Sequence, residues 1–302
     1  MNSCGSPLVS VCCITYNHVA YIRQCIDGVL MQKTNFTYEI IINDDCSTDG
    51  TTDIIKEYAL KFPEIIKPIF HSENQFSKGV RGMFATFCFP AAKGKYIALC
   101  EGDDYWTDPL KLQRQLDFLE SHPDYSMCFH RATILSEINY PTRLNVTEIE
   151  GREYSADELF SQWIVPTASI VYRAEVNLLP LERPCDILNG DIVLVLKCCS
   201  CGKVRALEYE MSVYRMHIGG VTYSPTLYED RHIKYPKHCL FIKRNFGHML
   251  DSKTLNRCIA EAFWDSREVV KPKIRRHINK IIALCFDPKF ILKKYKFAYL
   301  FR

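Results

Sequence analysis

Apolar and polar positions alternate between two periods along the first 130 residues. Leu8-Val9-Ser10-Val11-Cys12-Cys13-Ile14 is a nearly unbroken apolar run, the pattern of a strand covered on both faces. It stops at Thr15-Tyr16-Asn17. Val19, Ile22, Ile26, Val29 and Leu30 then recur at the spacing of one helical face. Tyr38 to Ile42 predicts a second strand, ending at Asn43-Asp44-Asp45. Thr51 to Lys61 predicts a helix, with Ser47, Thr48 and Asp49 as candidate caps. Ile65 to Phe70 is a weaker third strand. A helix is expected through Arg81 to Ala92, then a strand at Tyr96-Ile97-Ala98-Leu99, a helix opened by Asp108-Pro109, and a strand at Tyr125 to Phe129.

Strands that alternate with helices imply a mostly parallel sheet with helices on both faces. Ligands of such sheets sit beyond the carboxyl ends of the strands. Three of those ends carry polar groups here: Thr15-Tyr16-Asn17, Asp44-Asp45 and Glu101 to Asp104. The middle of the chain is less regular. Ser155-Ala-Asp-Glu158 has the form of a capping box. Ala168 to Tyr172 and Met211 to Tyr214 are expected as strands, and Asp191 to Cys199 as a helix. From about Tyr223 the pattern turns helical and basic.

Composition narrows the class. Of 302 residues, 47% are apolar and 24% charged, as in an ordinary globular protein. The net charge is +3, yet residues 271–302 hold ten Lys or Arg and one acid, so a +9 tail follows a body of net −6. Nothing in this distribution asks for a nucleic acid. The fifteen cysteines are odd in number and often lie inside apolar runs, which fits reduced, buried thiols rather than a disulfide framework. Cys198 and Cys201 form one CxxC spacing without a second pair, short of the four ligands of a structural zinc site. Neither a signal-peptide pattern nor a membrane span is legible. The expectation is a cytoplasmic protein. The tail mixes Ile278, Ile281, Ile282, Phe290, Ile291 and Leu292 with its basic residues. It is expected either to lie on the anionic inner face of the cytoplasmic membrane or to pack on the body.

The acids of Glu101-Gly102-Asp103-Asp104 crowd behind a buried strand and need a compensating charge. A divalent cation such as Mg²⁺ or Mn²⁺ fits, because hard ions take carboxylates together with substrate phosphates. Gly102 would leave room for a phosphate. An acidic turn capping a helix has a similar look. Asp44 and Asp45 could accept hydrogen bonds from a base and a ribose.

In their order and combination these residues resemble the inverting family 2 glycosyltransferases, bacterial surface-polysaccharide type. The matching stretches are Val9-Ser-Val…Thr15-Tyr-Asn17, Asp44-Asp-Cys-Ser47-Thr-Asp49-Gly-Thr and Lys93-Gly-Lys-Tyr-Ile97…Glu101-Gly-Asp-Asp-Tyr-Trp106. The resemblance implies a GT-A, Rossmann-like domain over residues 1–222, with a helical extension over 223–302 that is basic from 271. It implies a nucleotide-sugar donor, a UDP-sugar for preference, a Mn²⁺ or Mg²⁺ ion, and a saccharide or lipid-linked saccharide acceptor. Thr15, Tyr16, Asn17, Asp44, Asp45, Asn74, Arg81, Glu101 and Asp104 fall on donor-binding positions, although Phe76 and Gly82 depart from the family's usual Gly and Asn. Asp103 and His217 are implied as metal ligands, with Asp191 as the general base and Tyr105 and Trp106 on the acceptor side. A catalytically silent sugar- or nucleotide-binding module is the alternative. A dinucleotide dehydrogenase and a nucleotidyltransferase are disfavoured, since no glycine-rich loop follows the first strand.

Overall fold

The structure is a computed structural model that describes residues 6–138, 146–182, 186–220, 228–270 and 273–295. It divides into two units, Met1–Leu179 with Gly190–His217, and Pro180–Asn189 with Ile218–Arg302. The boundary expected at 222 lies outside the described residues. The division falls after His217 instead, and the second unit also takes the short segment Pro180–Asn189.

The first unit opens with β1 (Val9–Thr15), α1 (Ile22–Leu30), β2 (Tyr38–Asp44), α2 (Thr51–Lys61) and β3 (Ile66–Phe70). A wide π-turn, Phe84–Cys88, runs into the short α3 (Phe89–Ala91). The helix expected from Arg81 starts later. Gly82 takes a positive φ of 65° and the Arg81 guanidinium turns back onto the Phe76 and Val80 carbonyls. Next come β4 (Tyr96–Glu101), β5 (Tyr105–Trp106), α4 (Lys111–Ser121), β6 (Tyr125–Ser136), β7 (Glu153–Tyr154), α5 (Ala156–Ser161), β8 (Val171–Arg173), α6 (Gly190–Cys201) and β9 (Lys203–Met216). Ala168 and Ser169, expected in a strand, belong to a 3₁₀ turn that precedes the short β8. At α5 the Ser155 and Glu158 capping box forms as expected.

The sheet runs β3-β2-β1-β4-β8-β6-β9-β5, with β7 on β9. β3, β2, β1 and β4 are mutually parallel, so their carboxyl ends share one edge. Ile14 lies opposite both Asn43 and Glu101, and Thr15 opposite Asp44. The second half is mixed. β8 is antiparallel to β4 and β6, β6 is parallel to β9, and β5 is antiparallel to β9. Alternation along β1 feeds two apolar layers. Val9, Val11 and Cys13 pack with Ile22, Ile26, Val29, Leu112 and Leu116, whereas Cys12 joins Phe129, Leu194 and Val195 on the other face. Every described cysteine is a free thiol.

The second unit contains α7 (Tyr228–Phe246), α8 (Ser252–Val269), α9 (Lys273–Phe286) and α10 (Pro288–Tyr295). The basic tail is not simply laid on a surface. Ala283 and Ile291 are buried with Ala260 and Trp264, and Leu284, Phe286 and Phe290 pack around them. The opposite side of α9 leaves Ile274, Ile278 and Ile281 exposed. Residues 296–302 of the tail lie outside the described residues.

Helix α1 crosses β5 closely. A Cβ on Gly28 would lie 2.8 Å from the Trp106 carbonyl oxygen and 3.0 Å from its nitrogen, and backbone has no rotamer in which to escape. Gly28→Ala is therefore expected to destabilise the protein by about 1–3 kcal/mol, the usual cost of overpacking. Thermal unfolding checks this, and an unchanged Tm would show that α1 and β5 can separate freely.

Candidate active site

The shared carboxyl edge of the four parallel strands is built from three loops. The loop after β1 is zipped to the loop after β2. Asn17 N–H donates to Ser47 Oγ at 2.8 Å, Thr48 N–H to Asn17 Oδ1 at 2.8 Å, His18 N–H to Thr51 Oγ1 at 2.9 Å, and Val19 N–H to Asp49 Oδ2 at 2.9 Å. Asn17 holds a positive φ of 55° to make this turn, a conformation Asn tolerates better than most residues. Asp49 also accepts from Thr51 N–H at 3.0 Å, but the N-cap of α2 is Gly50 with no side-chain cap, so none of Ser47, Thr48 and Asp49 caps this helix as expected.

Asp44 and Asp45 are both buried. Asp44 accepts from the Ser47 hydroxyl at 2.5 Å and from the Thr52 hydroxyl. Asp45 accepts from Gln75 N–H at 2.7 Å and Phe76 N–H at 3.0 Å. The expected acceptors of base and ribose are thus already engaged by the chain's own donors. Asn74 donates to the Asp45 carbonyl at 3.0 Å, and the Arg81 guanidinium lies 4.2 Å from the Phe76 ring centroid. These residues therefore form one braced loop. Tyr16 stands out at 45% exposure, while Thr15 is buried with its hydroxyl unpartnered.

The third loop carries the acids. β5 follows it and pairs antiparallel with β9, Tyr105 opposite Val213. Extending that register sets Arg215 opposite Asp103. Arg215 N–H donates to Asp104 Oδ1 at 2.8 Å, and its guanidinium donates to the Asp103 carbonyl at 2.9 Å, to Glu137 at 2.7 Å and to Gln24 at 2.8 Å. Two residues further along, just past the end of β9, comes His217, whose Nε2 is 2.9 Å from Asp103 Oδ2. From the loop after β1 comes His18, its Nε2 3.8 Å from the same oxygen. The sequence reading did not single out His18. Its signal was its position, immediately after Thr-Tyr-Asn at a strand end.

The three acids live in different environments. Burial alone would raise Asp103, but the His217 contact and the charges of His18 and His217 hold it below the ordinary carboxylate value. Burial pushes Asp104 well above that value, with Asp103 and Glu101 adding repulsion. Asp104 is 1% exposed, one oxygen is unpartnered, and the other is taken by Arg215. This corrects its expected role as a donor contact, because its carboxyl faces the protein interior. Glu101 is pushed up to about 8 by burial and by the charges of Asp103 and Asp191. Asp191, in the first turn of α6, accepts its neighbour Ile192's N–H at 2.8 Å and is itself raised by burial.

Two more expectations are corrected here. Trp106 is 1% exposed, donates its indole N–H to the Ala168 carbonyl at 2.8 Å, and stacks under the Lys111 ammonium 4.0 Å away. It is a core residue, not an acceptor-side platform. Tyr105 stays half-buried, 5.5 Å from the Arg215 guanidinium. Gly102 does not leave an open space: a Cβ there would sit 2.6 Å from Thr15 Oγ1 and 3.0 Å from His18 Nδ1. Glycine is required for these two side chains to approach the acid loop.

His18, Asp103 and His217 each offer a ligand atom, all within 4.8 Å of one another, the one such metal-capable cluster among the described residues. Two imidazoles and a carboxylate are a donor set that suits a divalent first-row transition metal. Cys198 and Cys201 take part in no such cluster; the first is buried and the second exposed.

Residues 10–177 match the family model described as Glycosyl transferase family 2. The chain is 38% identical over 223 residues to the uncharacterized protein Rv1520 of Mycobacterium tuberculosis, covering 74% of this chain and 62% of that one. It therefore spans less than two thirds of that relative's length. Over 115 residues it is 39% identical to the UDP-Glc:alpha-D-GlcNAc-diphosphoundecaprenol beta-1,3-glucosyltransferase WfaP of Escherichia coli, covering 38% of this chain and 42% of that one. Among solved structures, S. aureus TarS in complex with UDP-GlcNAc superposes with a TM-score of 0.65 at 19% identity, over 94% of this chain and 80% of that one. The mannosyltransferase PcManGT from Pyrobaculum calidifontis, in complex with GDP-Man and Mn²⁺, gives 0.52 at 15% identity, over 96% and 89%. The chain belongs to glycosyl transferase family 2 and has the GT-A fold of these structures.

The burial of Asp104 makes a prediction about pH. A carboxyl raised in the folded state binds more protons folded than unfolded, so its contribution is present below the unfolded pKa of about 3.9 and is lost as pH rises towards the folded value. Asp104→Asn removes this slope while keeping the shape and the acceptor for Arg215 N–H. The variant is expected to gain stability relative to wild type as pH rises from about 4 to 7. Denaturant unfolding at several pH values measures this. A constant gap between the two proteins would mean that Asp104 is ionised in the folded state.

Proposed function

We propose that this protein transfers a sugar from a nucleotide-sugar donor, a UDP-sugar for preference, to a hydroxyl of a saccharide or lipid-linked saccharide. The transfer inverts the anomeric centre and serves surface-polysaccharide synthesis. The observation that carries this reading is the pairing of Asp103 with His217, 114 residues apart in sequence and 2.9 Å apart in space, at the carboxyl end of β4. The nucleotide sugars bound in the TarS and PcManGT structures support the donor class, and the reaction that WfaP is named for supports the acceptor class.

Asp103 and His217 would hold a divalent cation, whose chemistry is to neutralise the charge that grows on a departing nucleoside diphosphate. The rest falls to side chains. Arg215 fixes the acid loop through the Asp103 carbonyl and keeps Asp103 aimed at His217. Glu101, held neutral at pH 7, spares Asp191 a neighbouring negative charge. Asp191 accepts the proton of the attacking hydroxyl. Its burial raises its basicity, which brings a general base nearer the working pH.

The second unit supports an anionic membrane surface as a further partner. Ile274, Ile278 and Ile281 form an exposed row, one helical turn after another, and α9 also exposes Lys273, Arg275, Arg276 and His277. No helix among the described residues is long and apolar enough to cross a membrane. Attachment would then rest on shallow insertion and on attraction of about 1 kcal/mol per basic residue near the surface. On this reading the enzyme works at the cytoplasmic face of the membrane, where a lipid-linked acceptor would be met.

Two measurements test these readings. Asp191→Asn should lower turnover by about 10²-fold or more, the scale of lost general-base help, with donor binding nearly unchanged. The wild-type rate should rise with pH through a group displaced upward from the usual carboxylate value, and the variant should lose that limb. If donor affinity collapses while the saturated rate survives, Asp191 is a binding residue. The product anomer, read by NMR, should be inverted relative to the donor.

For the membrane, co-sedimentation with anionic vesicles at low salt should capture the wild-type protein, and high salt should release part of it. Replacing Ile274, Ile278 and Ile281 by serine should reduce capture several-fold without lowering Tm, because all three are exposed. Equal capture of both forms on anionic and neutral lipid would remove the membrane from the scheme. Truncation at Lys271 is a poorer test, since it would strip Ala283 and Ile291 from Trp264.

A further inference from the structure

The imidazole of His18 stands out as an unexplained group beside the acids. Its backbone N–H is used in the loop, but neither ring nitrogen makes a hydrogen bond, and Nδ1 is fully buried. At 3.8 Å from Asp103 Oδ2, Nε2 is beyond hydrogen-bonding distance. Burying a polar ring without a partner costs free energy. Packing alone does not account for a histidine here, where an apolar ring of similar size would avoid that cost. Position 102 is glycine, where a Cβ would clash with Thr15 at 2.6 Å and crowd His18 Nδ1 at 3.0 Å.

The positions of its neighbours suggest what the ring is for. His217 approaches Asp103 from β9 and His18 from the loop after β1, with the two imidazole rings edge to face at 5.8 Å between centroids. Tyr21 lies against His217 at 4.7 Å and donates its hydroxyl to Glu137 at 2.7 Å, which in turn accepts from Arg215. The ring of His217 and the acid loop are therefore braced together, and His18 closes the remaining side of the carboxylate. Two edges of the ligand triangle measure 2.9 and 3.8 Å and no edge exceeds 4.8 Å. Ligands at about 2.1 Å in an octahedral shell lie about 3 Å apart, so a shift of about 1–2 Å by the unbonded His18 ring would bring the triangle to that size.

We propose that His18 is a third protein ligand of the divalent cation, making with Asp103 and His217 a set of two imidazoles and one carboxylate that favours Mn²⁺ over Mg²⁺. The assignment rests on the reading of Asp103 and His217 as cation ligands and adds the residue that sets the choice of metal. Mg²⁺ takes oxygen ligands and gives up water reluctantly, whereas imidazole nitrogen suits the transition metals and binds them more tightly towards the right of the row. A site with a single carboxylate and waters would accept either ion. Adding two nitrogens penalises Mg²⁺. The same three residues leave one face of the ion for the diphosphate oxygens of the donor.

The experiment counts nitrogens directly. Mn²⁺ is added together with UDP to wild type, His18→Ala, His18→Gln and Asp103→Ala, and nitrogen-14 couplings to the ion are read by electron spin-echo envelope modulation. Competition between Mn²⁺ and Mg²⁺ is measured on the same samples, and Tm values verify that each variant is folded. Two imidazole nitrogens are expected in wild type and one in both His18 variants. Mn²⁺ affinity should fall about tenfold or more in those variants while Mg²⁺ affinity changes by less than about threefold. Two couplings persisting in His18→Ala or His18→Gln, or a single wild-type coupling that survives in both variants, would remove His18 from the ion. Absence of any coupling in wild type, with an identical signal from Asp103→Ala, would refute the cation site itself and the assignment of His18 with it.

Discussion

Three carboxyl groups within four residues, at the end of a buried parallel strand, repel one another and lose hydration. The rest of the site is arranged around making that tolerable. Asp103 stays ionised because two imidazoles, one of them at 2.9 Å, face it. Asp104 is accommodated by burial in a form that holds its proton, with one oxygen on the Arg215 backbone. Glu101 keeps its proton up to about 8 because burial and the charges of Asp103 and Asp191 both oppose its ionisation. Only one of the three therefore presents full charge at neutral pH, and it is the one that points towards histidine.

That solution depends on β9, a strand far away in sequence. β9 lies between β6 and β5: it runs parallel to β6 from Tyr125 through Ser136, with register shifts near Met127, His130 and Arg131, and its Ser212 and Val213 pair antiparallel with β5 on the other edge. The two-residue β5 anchors the far end of the acid loop through buried Trp106, so the loop is pinned at both ends. The register at β5 sets Arg215 and His217 beside Asp103. The functional pair thus follows from strand pairing rather than from a local motif. Arg215 matters as much as the acids here: buried, it ties Gln24, Glu137 and the Asp103 carbonyl into one frame.

Much of this was legible from periodicity. The strands ending at Thr15, Asp44 and Glu101, the helix Thr51–Lys61 and the capping box at Ser155 follow directly from apolar spacing and cap residues. The assignment of Asp103 and His217 to one place needed the family resemblance, because no local pattern links residues 114 positions apart. What stayed hidden was orientation. An aromatic after an acid loop reads as a ligand platform, yet Trp106 had to be buried to hold β5. An acid in a cluster reads as a contact, yet Asp104 points inward because the antiparallel ladder to β9 takes it there. Gly102 read as space for phosphate, and its real constraint is the side chains of Thr15 and His18. The inner face of the basic tail was hidden as well, because only the packing of Ala283 and Ile291 on Trp264 shows which side of α9 remains free.

If the acid loop after β4 is a cation seat serving sugar transfer, with Asp103 at its centre, loss of the ion or of Asp103 should stop the reaction. Release of nucleoside diphosphate from nucleotide-sugar donors, measured for wild type and Asp103→Ala with Mn²⁺ and with EDTA, tests it most directly. Release by wild type in Mn²⁺ is expected to vanish in EDTA and in Asp103→Ala, with the variant still melting as a folded protein. Undiminished release in EDTA, or from Asp103→Ala, would contradict the account.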